Sequence, residues 1–195
     1  NKRKALMICE FGMNRGASTY ATPENSKYHY GLFLADAAAT AASLGVRGMM
    51  MWCLTDTWYG PHKMLWGLWR YKDEGWEPRP GYYAWSLITT QTRRGSSVHA
   101  VDLQGGAASA TAFRAPDGRW TLFLINRARI ERRVTLRRLP ASSKWAPYLY
   151  CEAAVPTPDR GFIKPGPTLT ATRKGELTLT MPPRSFLLLT DRLAA

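Results

Sequence analysis

The sequence predicts an α/β unit followed by an all-β region, and three observations carry that reading. Near the start, two short apolar runs flank one amphipathic helix. A long aromatic-rich connection and a second helix follow them. From Gly95 onward the composition changes to short alternating strands divided by turn pairs. Apolar runs with helices on either side suggest a parallel sheet covered on both faces. Regular strands with turn signals between them suggest an antiparallel β-sandwich.

The first strand is Ala5-Leu6-Met7-Ile8-Cys9, and it stops on Glu10 before Phe11-Gly12. A buried strand fixes the side chain that ends it, and the Gly lets the backbone leave for the surface. Parallel barrels carry their chemistry at such strand ends. Polar and turn-forming residues from Asn14 to Lys27 read as a loop. The spacing then predicts a helix from Tyr28 to Leu44, capped by Ser26 or Asn25 and stopped by Gly45. Leu32, Ala35, Ala39 and Ala42 form its apolar stripe, and the alanines suit close packing on a sheet. The second strand is Gly48-Met49-Met50-Met51-Trp52, with Met50 and Trp52 on one face.

From Cys53 to Pro80 runs a connection longer than most in compact domains. It carries Trp58, Tyr59, Trp66, Trp69, Tyr71 and Trp76. Disordered loops are poor in aromatics, so this one is expected to be ordered and to line a site. A helix from Gly81 to Thr92 follows Pro80.

This arrangement resembles the last quarter of the barrel in the clan of retaining (β/α)8 glycoside hydrolases that includes families 5, 30, 39, 51 and 79. The matching residues are Ile8-Cys9-Glu10-Phe11-Gly12 for the end of the seventh strand and Met51-Trp52 for the end of the eighth. Arg79-Pro80-Gly81-Tyr82-Tyr83-Ala84-Trp85 matches the start of the last barrel helix. The resemblance implies the last strands and helices of a TIM barrel over residues 1–94. It implies that Glu10 is the catalytic nucleophile and Trp52 the platform under the reacting sugar. The general acid of that clan ends the fourth strand, which this chain does not contain. Asp56, just past the second strand, is expected to hold a sugar hydroxyl or cap the loop. Trp58 and Trp66 stand as candidate subsite walls or loop packing, and Asn14 and Arg15 as candidate donors or solvated loop residues.

In the second half the predicted strands are Ser97–Leu103, Ser109–Ala115, Trp120–Asn126, Arg133–Leu139, Thr168–Thr172, Glu176–Met181 and Phe186–Thr190. Gly105-Gly106, Asp117-Gly118, Pro140, Lys174-Gly175 and Pro182-Pro183 divide them. Residues 95–195 are thus expected to form the sandwich, as clan members of several families end in such a domain. Trp120 and Trp145 are read as partly core-facing.

A chain of 195 residues can hold two such pieces. It begins at Asn1, directly before a buried strand, and two parallel strands cannot close a barrel. The chain is therefore expected to be the C-terminal part of a longer protein, with the missing N-terminal barrel region as its first partner. A secreted or periplasmic location follows by analogy with the clan. No apolar run reaches the roughly 18 residues that a membrane span needs, so no membrane is expected. Cys9, Cys53 and Cys151 make an odd count and are expected to be buried free thiols. His29, His62 and His99 are isolated, so no metal and no cofactor is expected.

The net charge is +13. A basic face can mean nucleic acid. Here Arg132-Arg133-Val134-Thr135-Leu136-Arg137-Arg138 mixes charge into a strand with Val134 and Leu136 inward, so a solvated sandwich face is expected and no nucleic acid. Attraction to an acidic polysaccharide is the middle reading. The function implied by the resemblance is hydrolysis of a β-linked oligo- or polysaccharide with retention, by a chain that is inactive alone. The alternative is a non-catalytic carbohydrate-binding or structural β-sandwich module.

Overall fold

The computed structural model describes residues 4–13, 23–104, 108–156 and 161–193. The elements stack as four layers. The first is a parallel pair, β1 (Met7–Phe11) and β2 (Gly48–Met51). Helices α1 (Tyr28–Ser43) and α2 (Pro80–Gln91) form the second. The third is a six-stranded sheet of β5 (Ser97–His99), β6 (Ala108–Arg114), β7 (Trp120–Asn126), β9 (Lys144–Tyr150), β10 (Leu169–Thr170) and β12 (Ser185–Thr190), ordered β10-β9-β12-β7-β6-β5. The fourth pairs β8 (Arg132–Leu136) with β11 (Leu177–Met181). A hairpin of β3 (Thr57–Tyr59) and β4 (His62–Met64) projects from the segment between β2 and α2.

Helix α1 keeps its expected span but not its expected cap. Lys27 is the N-cap and makes no side-chain cap bond. Asn25 and Ser26 lie in a 3₁₀ turn, where their polar groups serve Leu65 and Arg79 instead. At the other end Val46 N–H donates to Ala41 O and Gly45 N–H to Ala42 O, with Gly45 at φ +83. That pair of bonds is a Schellman stop. The alanine stripe performs a packing role: Ala35, Ala38 and Ala39 bury against Phe123, Ile125, Phe186 and Leu188 of the six-stranded sheet and Leu87 and Ile88 of α2. Thr111 reinforces the contact by donating to Ala39 O at 3.0 Å, and Tyr150 donates to Tyr28 O at 2.6 Å.

A second core fills the space between the six-stranded sheet and β8–β11. Leu122, Leu124, Leu187, Leu189 and Trp145 meet Leu177 and Met181 there, with Val134 and Leu136 turned inward. Arg132, Arg133, Arg137 and Arg138 are exposed.

Several predicted strands differ in the structure. The first, predicted at Ala5–Cys9, runs from Met7 to Phe11. Only Ser97–His99 of the Ser97–Leu103 strand pairs, against Ala112–Arg114 of β6. Thr168–Thr172 shrinks to Leu169–Thr170 and pairs with β9 rather than β11, although Thr172 N–H still bonds Glu176 O across the predicted turn. Lys144–Tyr150, unanticipated, is an interior strand beside β12. Gly105-Gly106 lies outside the described residues. The three cysteines are free, but they are not all buried: Cys9 is exposed and Cys53 intermediate, while Cys151 is buried.

Candidate active site

The strand ends converge on one cavity. In β1, Ile8 pairs with Met49 and Phe11 with Met51, so Cys9 and Glu10 together stand against the single residue Met50. This is a β-bulge, a device that re-aims a side chain next to a site. Glu10 therefore lies within the strand, one residue before its end, and is exposed. The ladder continues one bond further, where Trp52 N–H donates to Phe11 O at 2.8 Å. The Trp52–Cys53 peptide is cis. Phe11 turns the other way and stacks on Phe33 at 5.3 Å, anchoring the strand end to α1.

A cavity of about 270 Å³ opens over these strand ends, lined by Glu10, Phe11, Gly12, Met13, Asn25, Tyr30, Trp52 and Trp66. Glu10 is its sole carboxylate among the described residues. Trp52 presents a half-exposed ring, 46% accessible. Its floor is close-packed: a Cβ on Gly12 would stand 3.2 Å from Trp52 O and 3.3 Å from the Tyr30 hydroxyl. Burial pushes the Tyr30 phenol up to about 12, against a smaller lowering by the nearby Met13 backbone. Burial, then the Asp56 carboxylate, also pushes the Cys53 thiol up.

Of the residues anticipated at the site, the structure brings Glu10, Trp52 and Trp66 to this cavity. Trp58 stands 49% exposed on β3 and does not line it. Asn14 and Arg15 lie outside the described residues. Asp56 requires correction as a sugar ligand, because it is fully buried and both its oxygens are occupied. Arg79 donates to Oδ1 and Oδ2, each at 2.7 Å, and Gly67 N–H donates to Oδ1 at 2.9 Å. Arg79 also donates to Gly67 O at 2.8 Å and touches Ser26 Oγ at 3.3 Å. A Cβ at Gly67 would collide with the backbone of Thr55, Asp56 and Trp69, so the loop closes on itself at that point. The ion pair thus braces the whole Cys53–Pro80 segment from inside.

Asn25 and Tyr30 are the site residues that the sequence reading did not assign. From the sequence Asn25 reads only as a cap, yet it is buried and its Nδ2 donates to Leu65 O, next to Trp66. A signal for the brace was present: Asp56 and Arg79 are opposite charges bounding an aromatic segment, where an unpaired buried charge is untenable. Among the described residues no group of three His, Cys, Asp or Glu is placed to hold a metal ion, and no helix is long and apolar enough to cross a membrane.

No family model matches the sequence, and no curated protein matches it significantly. Solved structures do match. A family 30 glycoside hydrolase, an endoxylanase from Clostridium papyrosolvens C71, superposes with a TM-score of 0.71 at 14% identity, over 96% of this chain and 42% of its own. The catalytic domain of family 30 xylanase C from Talaromyces cellulolyticus gives 0.71 at 16% identity, over 97% and 41%. The chain has the fold found in these glycoside hydrolases. A family 51 α-L-arabinofuranosidase from Thermotoga petrophila RKU-1 shares it too, at a TM-score of 0.71 and 14% identity over 95% of this chain and 43% of its own. The chain thus spans about two fifths of the length of the structures it matches.

Proposed function

We propose that this chain is the C-terminal part of a retaining glycoside hydrolase, with Glu10 as nucleophile and Trp52 as the platform beneath the reacting sugar. The observation that carries the reading is the convergence of Glu10 and Trp52, from neighbouring parallel strands, on one cavity in a fold shared with glycosidases. In this reading β1, β2, α1 and α2 are the last strands and helices of a (β/α)8 barrel, and residues 95–195 a β-sandwich packed on it. The outward apolar side chains of the parallel pair support a covering partner: Leu6, Met7 and Met50 are each more than half exposed.

Retaining hydrolysis uses two carboxyl groups about 5–5.5 Å apart. Ionised Glu10 attacks the anomeric carbon, forming a glycosyl ester as the bond to the leaving oxygen breaks. A carboxylic acid from the preceding part of the protein gives that oxygen its proton. The same group then takes a proton from water, which attacks the anomeric carbon and releases Glu10. Trp52 offers its ring to the apolar face of the sugar, and Trp66 walls the side. A binding role for the sheets alone finds less support, because their two tryptophans are not free platforms: Trp145 is buried and Trp120 lies under Arg114.

The test is full-length protein against its Glu10→Gln variant on aryl β-glycosides, with mass spectrometry after a 2-fluoroglycoside inactivator. The amide cannot form the ester, so turnover should fall on the order of 10³-fold or more. The inactivator should label the peptide containing Glu10. Unchanged turnover in Glu10→Gln, or a label on another carboxylate, removes the assignment.

A further inference from the structure

Glu10 and Trp52 come from different strands, so their relative placement depends on what joins those strand ends. The Tyr30 side chain reaches that junction. It sits in the first turn of α1, 2% exposed, within an apolar cluster of Leu34 and Leu68 flanked by Phe33, Met51 and Trp85. Phenylalanine would fill that cluster equally well. A buried hydroxyl costs desolvation unless its hydrogen bonds are made. At Tyr30 the hydroxyl stands between both strand ends, bonded toward Met51 and set against Gly12. The hydroxyl approaches Met51 Sδ, one residue before Trp52, at 3.8 Å, and Met13, three residues past Glu10, packs on the same cluster. Gly12 fits between this hydroxyl and Trp52 O so closely that a Cβ there would push its neighbours aside by a few tenths of an ångström.

We infer that Tyr30 is a positioning residue: its hydroxyl couples the turn after Glu10 to the end of β2 and so sets the placement of the carboxylate relative to the Trp52 ring. The inference rests on the reading of Glu10 as nucleophile. Tyr30 works as a neutral hydrogen-bonding group, since burial keeps its phenol protonated far above neutral pH. Removing the hydroxyl takes away the contact with Met51 Sδ and leaves a gap beside Gly12, which frees the joint. Displacements of about 1 Å at a reacting group can cost about 10²-fold in rate.

The experiment measures kcat and KM on an aryl β-glycoside for full-length wild type, Tyr30→Phe, Tyr150→Phe and Glu10→Gln, with circular dichroism and thermal melting of each. Tyr150 is the control, because its buried hydroxyl binds the start of the same helix at Tyr28 O, away from the cavity. Tyr30→Phe is expected to keep its fold, to hold KM within about twofold and to lose about 10- to 100-fold in kcat. Tyr150→Phe is expected to melt earlier with kcat unchanged. Gly12→Ala, which crowds the joint rather than loosening it, should reproduce the kcat loss and serves if Tyr30→Phe does not fold. Wild-type kcat in Tyr30→Phe overturns the inference, as does an equal kcat loss in Tyr150→Phe or, for a Tyr30→Phe that does not fold, wild-type kcat in Gly12→Ala. An active Glu10→Gln sinks the nucleophile reading itself; an inactive Glu10→Gln beside a fully active Tyr30→Phe removes only the role given to Tyr30.

Discussion

Strands β2 and β12 are written in the same apolar style, yet they are buried to opposite degrees. Every residue of β12 is buried, and so are all residues of β7 after Trp120. No residue of β1 or β2 is buried. The difference is in the second face. The six-stranded sheet is covered by helices on one side and by β8–β11 on the other, so its central strands lose the polar alternation usual in antiparallel sheets. The parallel pair is covered by helices alone, through Phe11, Met49 and Met51. Its other face carries Glu10, Met50 and Trp52. A continuous apolar run therefore announces that two faces are meant to be covered without saying by what. In the sheets the cover is in the chain; over β1 and β2 the proposed cover is the rest of a barrel.

The sharpest break of this comparison sets Phe123→Ala against Met50→Ala. Phe123 lies between helices and sheet, 1% exposed, and its truncation should cost about 3–5 kcal/mol. Met50 is 51% exposed, and if its face stays in water the same truncation should change stability by no more than about 0.5 kcal/mol. If a barrel covers that face in the full-length protein, Met50→Ala should instead cost about 2–5 kcal/mol there. Urea denaturation of the full-length variants decides. A negligible effect of Met50→Ala would count against the barrel.

The two regions also differ in how they are braced, and this gives the next effect. The sheets hold themselves by apolar burial, whereas the Cys53–Pro80 segment depends on Asp56 and Arg79. Removing one partner of a buried pair strands the other charge and typically costs about 3–5 kcal/mol. In Asp56→Ala the loss should be local to that segment, so limited proteolysis should cut between Cys53 and Pro80 before it cuts the sheets. Cleavage that begins in β6 or β7 would show the brace to be irrelevant to the segment's order.

How much was legible follows from the range of the forces involved. Trp120–Asn126 was readable to the residue because the Asp117-Gly118 turn is a local signal that fixes where the strand starts. Glu10 and Trp52 were readable as candidates because strand ends and turns are local too. Lys144–Tyr150 was not, since Pro147 within it disfavours an interior strand. The structure accommodates the proline because Pro147 O accepts from Gly166 on the side away from β12, where no ladder N–H is required. The bulge at Cys9 and Glu10 depends on the register of β2, and the burial of Asp56 on an arginine 23 residues away. The register of β2 leaves no mark in the sequence around Glu10, and the opposite charges of Asp56 and Arg79 suggest a pair without showing that it is buried.

The smallest effect separates the regions by pH. Beside the buried Asp56–Arg79 pair, the same segment carries an outer clamp in which Lys63 binds Asp73 and Glu74, and Arg70 binds Glu74 at 2.7 Å. The hydrogen bond from Lys63, then that from Arg70, holds the Glu74 carboxyl down at about 2. An unfolded glutamate titrates near about 4.3. The folded value is the lower one, so the stabilisation is present in full above about 4.3 and is lost as pH falls from there through about 2. Glu74 is a third exposed and solvent screens its partners, so the contribution should stay within about 0.2–1 kcal/mol. It should be felt where the clamp sits, at the β3–β4 hairpin and the turn Lys72–Glu74, and not in the six-stranded sheet. Hydrogen exchange between pH 5 and pH 2.5, corrected for intrinsic rates, should show protection of Thr57–Met64 falling relative to β7 and β12. Glu74→Gln should already have the lower protection at pH 5 and a flatter decline below it. A decline just as steep in Glu74→Gln would assign the acid sensitivity to other carboxylates and leave the hairpin held by packing alone.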